Sequence, residues 1–464
     1  MKKNKIYTAI GVLGISLVAL TGCMKVNNPG GNEPGGNEPQ KPEEISITLD
    51  SNYKCELSIL IPNGNANEET MIDNLIKEFN LDYPNITLKK SYCSVNNYEN
   101  TVRNQWIAET LPDIVWSNSP DFYSLVAQEI ALPLNTYIEK SEQEGVFNFK
   151  EDFLTEYFDM GAVDGKYYCF PRSCDSVVTF YNKKLLKQAG VDTSLIKNGW
   201  TWTDFTTVLK QYRSYLDTTT NKDTYYCLDA NLTTRLSVCY PMLKSFGAEV
   251  VNSNKEILID SPETREALNL ARDLMEKKYI VADSLTPGSS FETGTAPFLF
   301  QSSSISLFAE RRELKGNIDI VSFPLIDNKQ SPKIGSGIAG YCINGRTKEK
   351  TAAWLFLNKM LSKEGQNAMA DGGLHLPSIR KDLQDYKNPE VHWGKGYETF
   401  NLDAYTYGGE YKIAADLFSI VDIKYKAKLD EAIRGMFADS IRIDKTVEDA
   451  IATCVKYLKN ALRK

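Results

Sequence analysis

The sequence predicts an α/β fold arranged as two lobes, and three observations carry that prediction. Strand-like and helix-like segments alternate from residue 55 onward, the joins between them are short, and roughly 400 residues follow a polar tract that ends near residue 47. Alternation with short joins implies a mostly parallel sheet with right-handed crossovers. A body of that length exceeds one comfortable hydrophobic core, so two lobes are expected.

In chain order, Lys2, Lys3 and Lys5 precede a mostly apolar run from Ile6 to Leu20. A basic start, a short apolar core and small residues at the cut describe a secretory signal peptide over residues 1–22. The run falls short of the about 20 apolar residues that a spanning helix needs. Leu20-Thr21-Gly22-Cys23 resembles the lipobox of bacterial lipoproteins. That resemblance implies cleavage before Cys23 and acylation of its sulfur, and two acyl chains anchor durably where one does not. An ordinary signal peptide that carries a cysteine is the alternative. Residues 23–47 follow as a lipid-anchored linker: the repeat "GGNEPGGNEP" offers too little apolar surface to offset chain entropy, so disorder is expected there.

The body opens with "CELSILI" (55–61), which reads as a buried strand. "NEETMIDNLIKEF" (67–79) places Met71, Ile72, Leu75, Ile76 and Phe79 on one helical face. "NITLKKSYC" (85–93) is the next strand, "NNYENTVRNQWIAET" (96–110) the next helix and "PDIVW" (112–116) the third strand. Ligands on such sheets bind beyond the carboxyl ends of the strands. Here those ends are Asn63-Gly64-Asn65 and Trp116-Ser117-Asn118-Ser119. Farther on, Ser261 is the expected N-cap and Pro262 the first residue of a helix striped by Ala267, Leu268, Ala271, Leu274 and Met275. "IDIVSFPLI" (318–326) and "GIAGYCING" (337–345) read as strands, and "TKEKTAAWLFLNKML" (347–361) as a helix. A shorter helix is expected to stop at Gly372-Gly373, and an amphipathic helix, "TVEDAIATCVKYLKNAL" (446–462), closes the chain.

These segments, in this order, resemble the family 1 extracellular solute-binding proteins of ABC importers, the maltose-binding protein type. The most specific match is "DGKYYCFPRSCDSVVTFYNKKLLKQAG" (164–190); "LPDIVW" (111–116), "TWTDF" (201–205), "FETGTAPFLF" (291–300), "AAWLFLNKMLSKEGQ" (352–366) and "TVEDAI" (446–451) support it. The resemblance implies a two-lobe periplasmic-binding-protein type II fold. Each lobe would be a mixed, mostly parallel sheet flanked by helices, and the hinge would cross more than once. Lobe 1 would hold residues 48–174 and 325–375, and lobe 2 residues 175–324 and 376–464. The lobes close on a ligand held between them.

Composition narrows the function. Removal of residues 1–22 takes three lysines and no acids, leaving 50 basic against 60 acidic residues. That balance argues against nucleic acid or an anionic lipid surface as a partner. Nine cysteines are scattered without CxxC or metal-like spacing, so most are expected to be small core residues. The only histidines are His375 and His392, and no HExxH, GxSxG or GxxxxGK[ST] occurs. No catalytic residue, metal or cofactor is therefore expected. A pair of carboxylates could still serve a carbohydrate-active enzyme.

A sugar presents hydroxyls that want fixed partners and a C–H face that wants an aromatic ring. Trp116 and Asn118, at the third strand's end, fit that need; a core tryptophan is the rival account of Trp116. The resemblance points to Asp175 as an acceptor for sugar hydroxyls, against a plain helix or turn cap. Tyr240, before Pro241, aligns with a ligand-facing aromatic segment or else packs in the core. Trp393, Tyr405 and Tyr407 form a candidate lid or else structural aromatics of a surface loop. Asn65 and Tyr341 stand at other strand ends. "FLFQSSSISLF" (298–308) holds serines and no counterpart to the lobe-two tryptophans of the maltose pattern, a departure that speaks against maltose itself.

The function implied is that of a monomeric binding protein, lipid-anchored at the extracellular face of the cell membrane, that captures a carbohydrate and delivers it to ABC permease subunits. The rivals are a receptor of the same fold for a peptide or polyamine, and an extracellular carbohydrate-cleaving enzyme.

Overall fold

The computed structural model describes residues 45–463 except 51, 64–65, 230–231, 233–235, 281–288, 330 and 415–424. The signal peptide, Cys23, nearly all of the linker and Asn65 lie outside the described residues.

The strands are β1 (Cys55–Asn63), β2 (Ile86–Ser94), β3 (Ile114–Asn118), β4 (Ala162–Val163), β5 (Lys166–Tyr167), β6 (Cys169–Pro171), β7 (Asp175–Ser176), β8 (Val178–Asn182), β9 (Leu228–Asp229), β10 (Phe298–Gln301), β11 (Ile318–Ser322), β12 (Ile334–Gly337), β13 (Ala339–Ile343) and β14 (Lys412–Ala414). A five-stranded sheet runs β2-β1-β3-β13-β6, a four-stranded one β11-β8-β10-β9, and a three-stranded one β14-β12-β7. β1 pairs in parallel with both β2 and β3, as the alternation predicted. β13 then runs antiparallel to β3 and to β6, and β8 is antiparallel to both of its neighbours. The sheets are therefore mixed, with less parallel pairing than alternation alone implied. Strands brought in from distant parts of the chain complete each sheet, and no local crossover dictates their direction.

The helices follow their sequence signals closely. In helix Ala66–Asp82, Met71, Ile72, Leu75 and Phe79 are buried and Ile76 half-buried, which is the predicted stripe. Ser261 Oγ accepts from Thr264 N at 3.2 Å and Pro262 opens helix Pro262–Glu276. Thr446 and Asp449 form a capping box that starts helix Val447–Leu462. Helix Lys363–Asp371 stops at Gly372, where a side chain could not fit: a Cβ there would stand 2.5 Å from Met71 Cα. That close approach sets this helix against helix Ala66–Asp82.

Residues 45–47, placed in the linker from sequence, pack on the body instead. Ile47 is buried, and the Ser46 carbonyl accepts from Thr351 Oγ1 at 3.1 Å. A chain beginning at Ile45 is therefore expected to melt with one beginning at Met24, whereas removal through residue 48 uncovers apolar surface and lowers the midpoint; scanning calorimetry of the three chains checks this.

All eight described cysteines are free thiols, and six of them are buried, as the core role required. Among the described residues, no helix is long and apolar enough to cross a membrane.

Candidate functional site

A cleft of about 160 Å³ is lined by Glu68, Arg172, Asp175, Ser302, Ser304 and Ser306, with Met71, Leu307 and Leu374 among its apolar walls. Short stretches of chain deliver each polar side chain to it. Glu68 stands in the first turn of helix Ala66–Asp82, where a carboxylate is favoured by the helix dipole. Arg172 and Asp175 flank the short passage from β6 to β7. The serines follow β10 directly, as the chain turns into helix Ser306–Ala309.

Charge inside this cleft is tightly arranged. Glu68 is only 5% exposed and accepts a hydrogen bond from Tyr341 Oη at 3.0 Å. Arg172 Nη2 lies 3.3 Å from the other Glu68 oxygen. Arg172 Nε and Nη1 are buried with no hydrogen-bond partner, which leaves three N–H bonds of the guanidinium unsatisfied beside the cleft. Burial pushes the Asp175 carboxyl up to about 6; the Arg172 charge and a 3.2 Å hydrogen bond from Ser173 Oγ oppose that rise, and Glu68 adds to it. Burial and the Glu68 carboxylate hold the Tyr341 hydroxyl well above its ordinary range, which keeps it a donor.

The serine wall is braced from behind. Ser304 Oγ donates to the His375 carbonyl at 3.0 Å and shares a 2.8 Å hydrogen bond with Ser306 Oγ. Tyr405 Oη donates to the Ser303 carbonyl at 2.9 Å. The cleft thus gathers carboxylates, hydroxyls and a guanidinium around a small volume. Such a set can hold a ligand rich in hydroxyls by both donation and acceptance. Among the described residues, no cluster of three or more His, Cys, Asp or Glu could hold a metal ion.

The residues singled out from sequence are distributed unevenly around this cleft. Asp175 lines it. Tyr341 is fully buried and touches it through Glu68, and Tyr405 is fully buried and touches it through Ser303. Trp116 is 8% exposed; its ring meets Tyr98 edge-on at 5.4 Å, and its indole N–H is unpartnered. Asn118 is half-buried at the end of β3, opposite Ala339. Tyr240 is buried inside helix Leu236–Phe246. The buried Trp393 donates through Nε1 to the Leu383 carbonyl at 3.0 Å, and Tyr407 is half-buried beside Gly199.

Sequence reasoning passed over Glu68, Arg172 and the serines as ligand groups. Arg172 lies inside the most specific family match, in "FPRSCDS", and the serine run stands out in sequence only for the tryptophans it lacks. An arginine three residues from an acid at a strand end was the available signal.

Comparison with known proteins bears on this geometry. The family described as bacterial extracellular solute-binding protein matches residues 74–397. The arabinooligosaccharide-binding protein of Halalkalibacterium halodurans is 29% identical over 184 residues, which cover 39% of this chain and 36% of that protein. An ABC substrate-binding protein of Listeria monocytogenes, solved in complex with cycloalternan, superposes with a TM-score of 0.71 at 20% identity, over 89% of this chain and all of that one. UgpB from Mycobacterium tuberculosis, solved in complex with glycerophosphocholine, superposes with a TM-score of 0.70 at 14% identity, over 89% of this chain and 99% of that one. These structural likenesses show the fold.

Proposed function

The chain belongs to the family of bacterial extracellular solute-binding proteins, and from that premise we propose that it captures a carbohydrate, an oligosaccharide, and hands it to an ABC permease without altering it. The observation that carries this reading is the cleft in which Glu68, Arg172 and Asp175 face Ser302, Ser304 and Ser306. Carboxylates accept from sugar hydroxyls, while Arg172 and the serines donate to hydroxyl and ring oxygens.

We assign residues 48–174 and 325–375 to one lobe, and residues 175–324 and 376–464 to the other, with ligand between them. Two features support the division. Every strand of the five-stranded sheet comes from the first set and every strand of the four-stranded sheet from the second. The cleft also draws on both, with Glu68 and Arg172 from one and Asp175 and the serines from the other. We keep Asn118, at the end of β3, and Tyr407 as candidate ligand contacts, and assign Tyr341, Tyr405 and Trp393 to the support behind the contact surface.

A thermal-shift screen against mono- and oligosaccharides tests the capture role. A ligand at a hundred times its dissociation constant stabilises the folded form by about 2.7 kcal/mol, which raises the midpoint visibly. A shift with peptides or polyamines and none with sugars overturns the carbohydrate assignment; release of reducing sugar from a bound oligosaccharide overturns the non-catalytic one. Within a sugar complex, Asp175→Ala removes a charged acceptor worth about 1.5–3 kcal/mol, so affinity is expected to fall roughly 10- to 150-fold by calorimetric titration.

The raised Asp175 pKa gives a further expectation with a definite sign. A carboxyl whose folded pKa exceeds its unfolded value binds protons more tightly when folded, so its contribution to stability is greatest in acid and fades as pH rises through about 6. A hydroxyl donated by the ligand favours the carboxylate, so affinity is expected to strengthen over that same rise. Asp175→Asn flattens both profiles; profiles that keep their slope in the variant assign the titration to another group.

Anchoring belongs to the same reading. We assign Cys23 as the lipid-bearing residue, supported by the Leu-Thr-Gly-Cys cut after an apolar run. Cys23→Ala is expected to leave the membrane fraction or stay unprocessed, and normal processing with full membrane retention contradicts the assignment.

A further inference from the structure

We propose that Cys169 and Cys342 form a cross-strand disulfide when this chain folds in the presence of a disulfide oxidant, which places a covalent staple directly behind the ligand cleft. Strand register brings the two cysteines together whichever ligand is bound.

Cys169 of β6 and Cys342 of β13 are direct partners in an antiparallel ladder. Antiparallel partners alternate between pairs that exchange backbone hydrogen bonds and pairs that do not, and the second kind bring their Cα atoms closest, to about 4.5 Å. Here the phase can be worked out from neighbouring bonds. Arg172 N–H donates to the Ala339 carbonyl at 3.0 Å, three residues along each strand, so the alternation puts the cysteine pair among the closer, unbonded pairs. The outer bonds agree. Cys169 N–H donates away from β13, to the Gly161 carbonyl at 3.3 Å. Asn344 N–H donates to the Asp113 carbonyl at 2.8 Å on the β3 side, so by the same period Cys342 N–H also faces β3 and not β6. A disulfide spans Cα atoms about 4.4–6.8 Å apart, which such a pair satisfies without backbone movement.

Both side chains are fully buried, and the Cys342 thiol lies close enough to Cys169 to oppose its ionisation. No other two described cysteines stand opposite one another in a sheet. Burial also sets the timing. It pushes the Cys169 thiol well above its ordinary range, so thiolate is scarce once the sheet has closed, and exchange belongs to the folding chain.

The chemistry is thiol–disulfide exchange with a small-molecule or protein disulfide as oxidant. One cysteine thiolate attacks the oxidant's S–S bond, forming a mixed disulfide and expelling one thiolate. The second cysteine attacks the mixed disulfide, the S–S bond between Cys169 and Cys342 forms, and the second oxidant thiol leaves. The chain loses two electrons and two protons, and the oxidant gains both. The staple ties β6, which leads straight into Arg172 and Asp175, to β13, which carries Tyr341. It would hold the back of the cleft in register.

The test refolds the reduced full chain from denaturant with oxidised glutathione as the probe, alkylates free thiols, and maps peptides by mass with and without reductant. The expected result is one linked peptide pair containing Cys169 and Cys342, split only by reductant, with a melting midpoint about 2–8 °C above that of the reduced protein. Cys169→Ala is expected to leave Cys342 alkylated, which separates a specific pair from scrambled oxidation. Alkylation of both Cys169 and Cys342 in the refolded wild type, without reductant, overturns the proposal.

Discussion

Replacing Trp116 by alanine is expected to cost about 3–5 kcal/mol of stability in the absence of any ligand, measured as a lower urea midpoint. The indole is 8% exposed, lies in the middle strand of the five-stranded sheet and meets the buried Tyr98 ring edge-on. Truncation removes that packing and leaves a cavity between β3 and helix Tyr98–Ile107. No hydrogen bond is lost, because the Trp116 N–H has no partner to lose, so the whole effect is one of volume and contact. Trp116→Phe therefore recovers much of the loss. Unchanged stability joined to weakened sugar binding would instead make Trp116 a ligand-stacking residue.

The second large effect concerns the charge pair at the cleft. Arg172→Met leaves Glu68 buried at 5% exposure without its cation, and stranding one partner of a buried pair costs about 3–5 kcal/mol. The Tyr341 hydroxyl still donates to Glu68 at 3.0 Å, but a neutral donor does not compensate the missing charge. Adding Glu68→Gln to Arg172→Met removes the stranded carboxylate, so the double variant is expected to be more stable than the single one. A double-mutant cycle in urea measures this coupling directly. Additive losses would show that the pair contributes nothing as a pair. Ligand affinity gives an independent readout: the double variant regains stability yet lacks the Arg172 donors, so its sugar binding stays weak.

The two effects differ in how well the sequence foretold them. Trp116 was visible as an aromatic at a strand end, but "IVWSN" is apolar through its first three positions, so no alternation said which face its third residue takes. Register decides that. Trp116 pairs with Tyr341, a residue 225 positions later, and the sheet closes over both. Arg172 was equally visible within its motif, yet its role follows from Glu68, more than a hundred residues earlier, and from serines more than a hundred residues later.

Local physics was legible from the chain alone. The stripe Met71, Ile72, Leu75, Phe79, the Ser261-Pro262 start and the stop at Gly372 each depend on residues within a turn or two, because helix period, capping and chain reversal are short-range. The parallel order of β1, β2 and β3 was legible for the same reason, since short helical joins leave little other choice. The antiparallel strands β8 and β13, the burial of Trp116 and the meeting of Glu68, Arg172 and Asp175 with the serine run were decided only in three dimensions. They depend on which distant strands share a sheet, and a buried charge finds its partner through that packing and not through its neighbours in sequence.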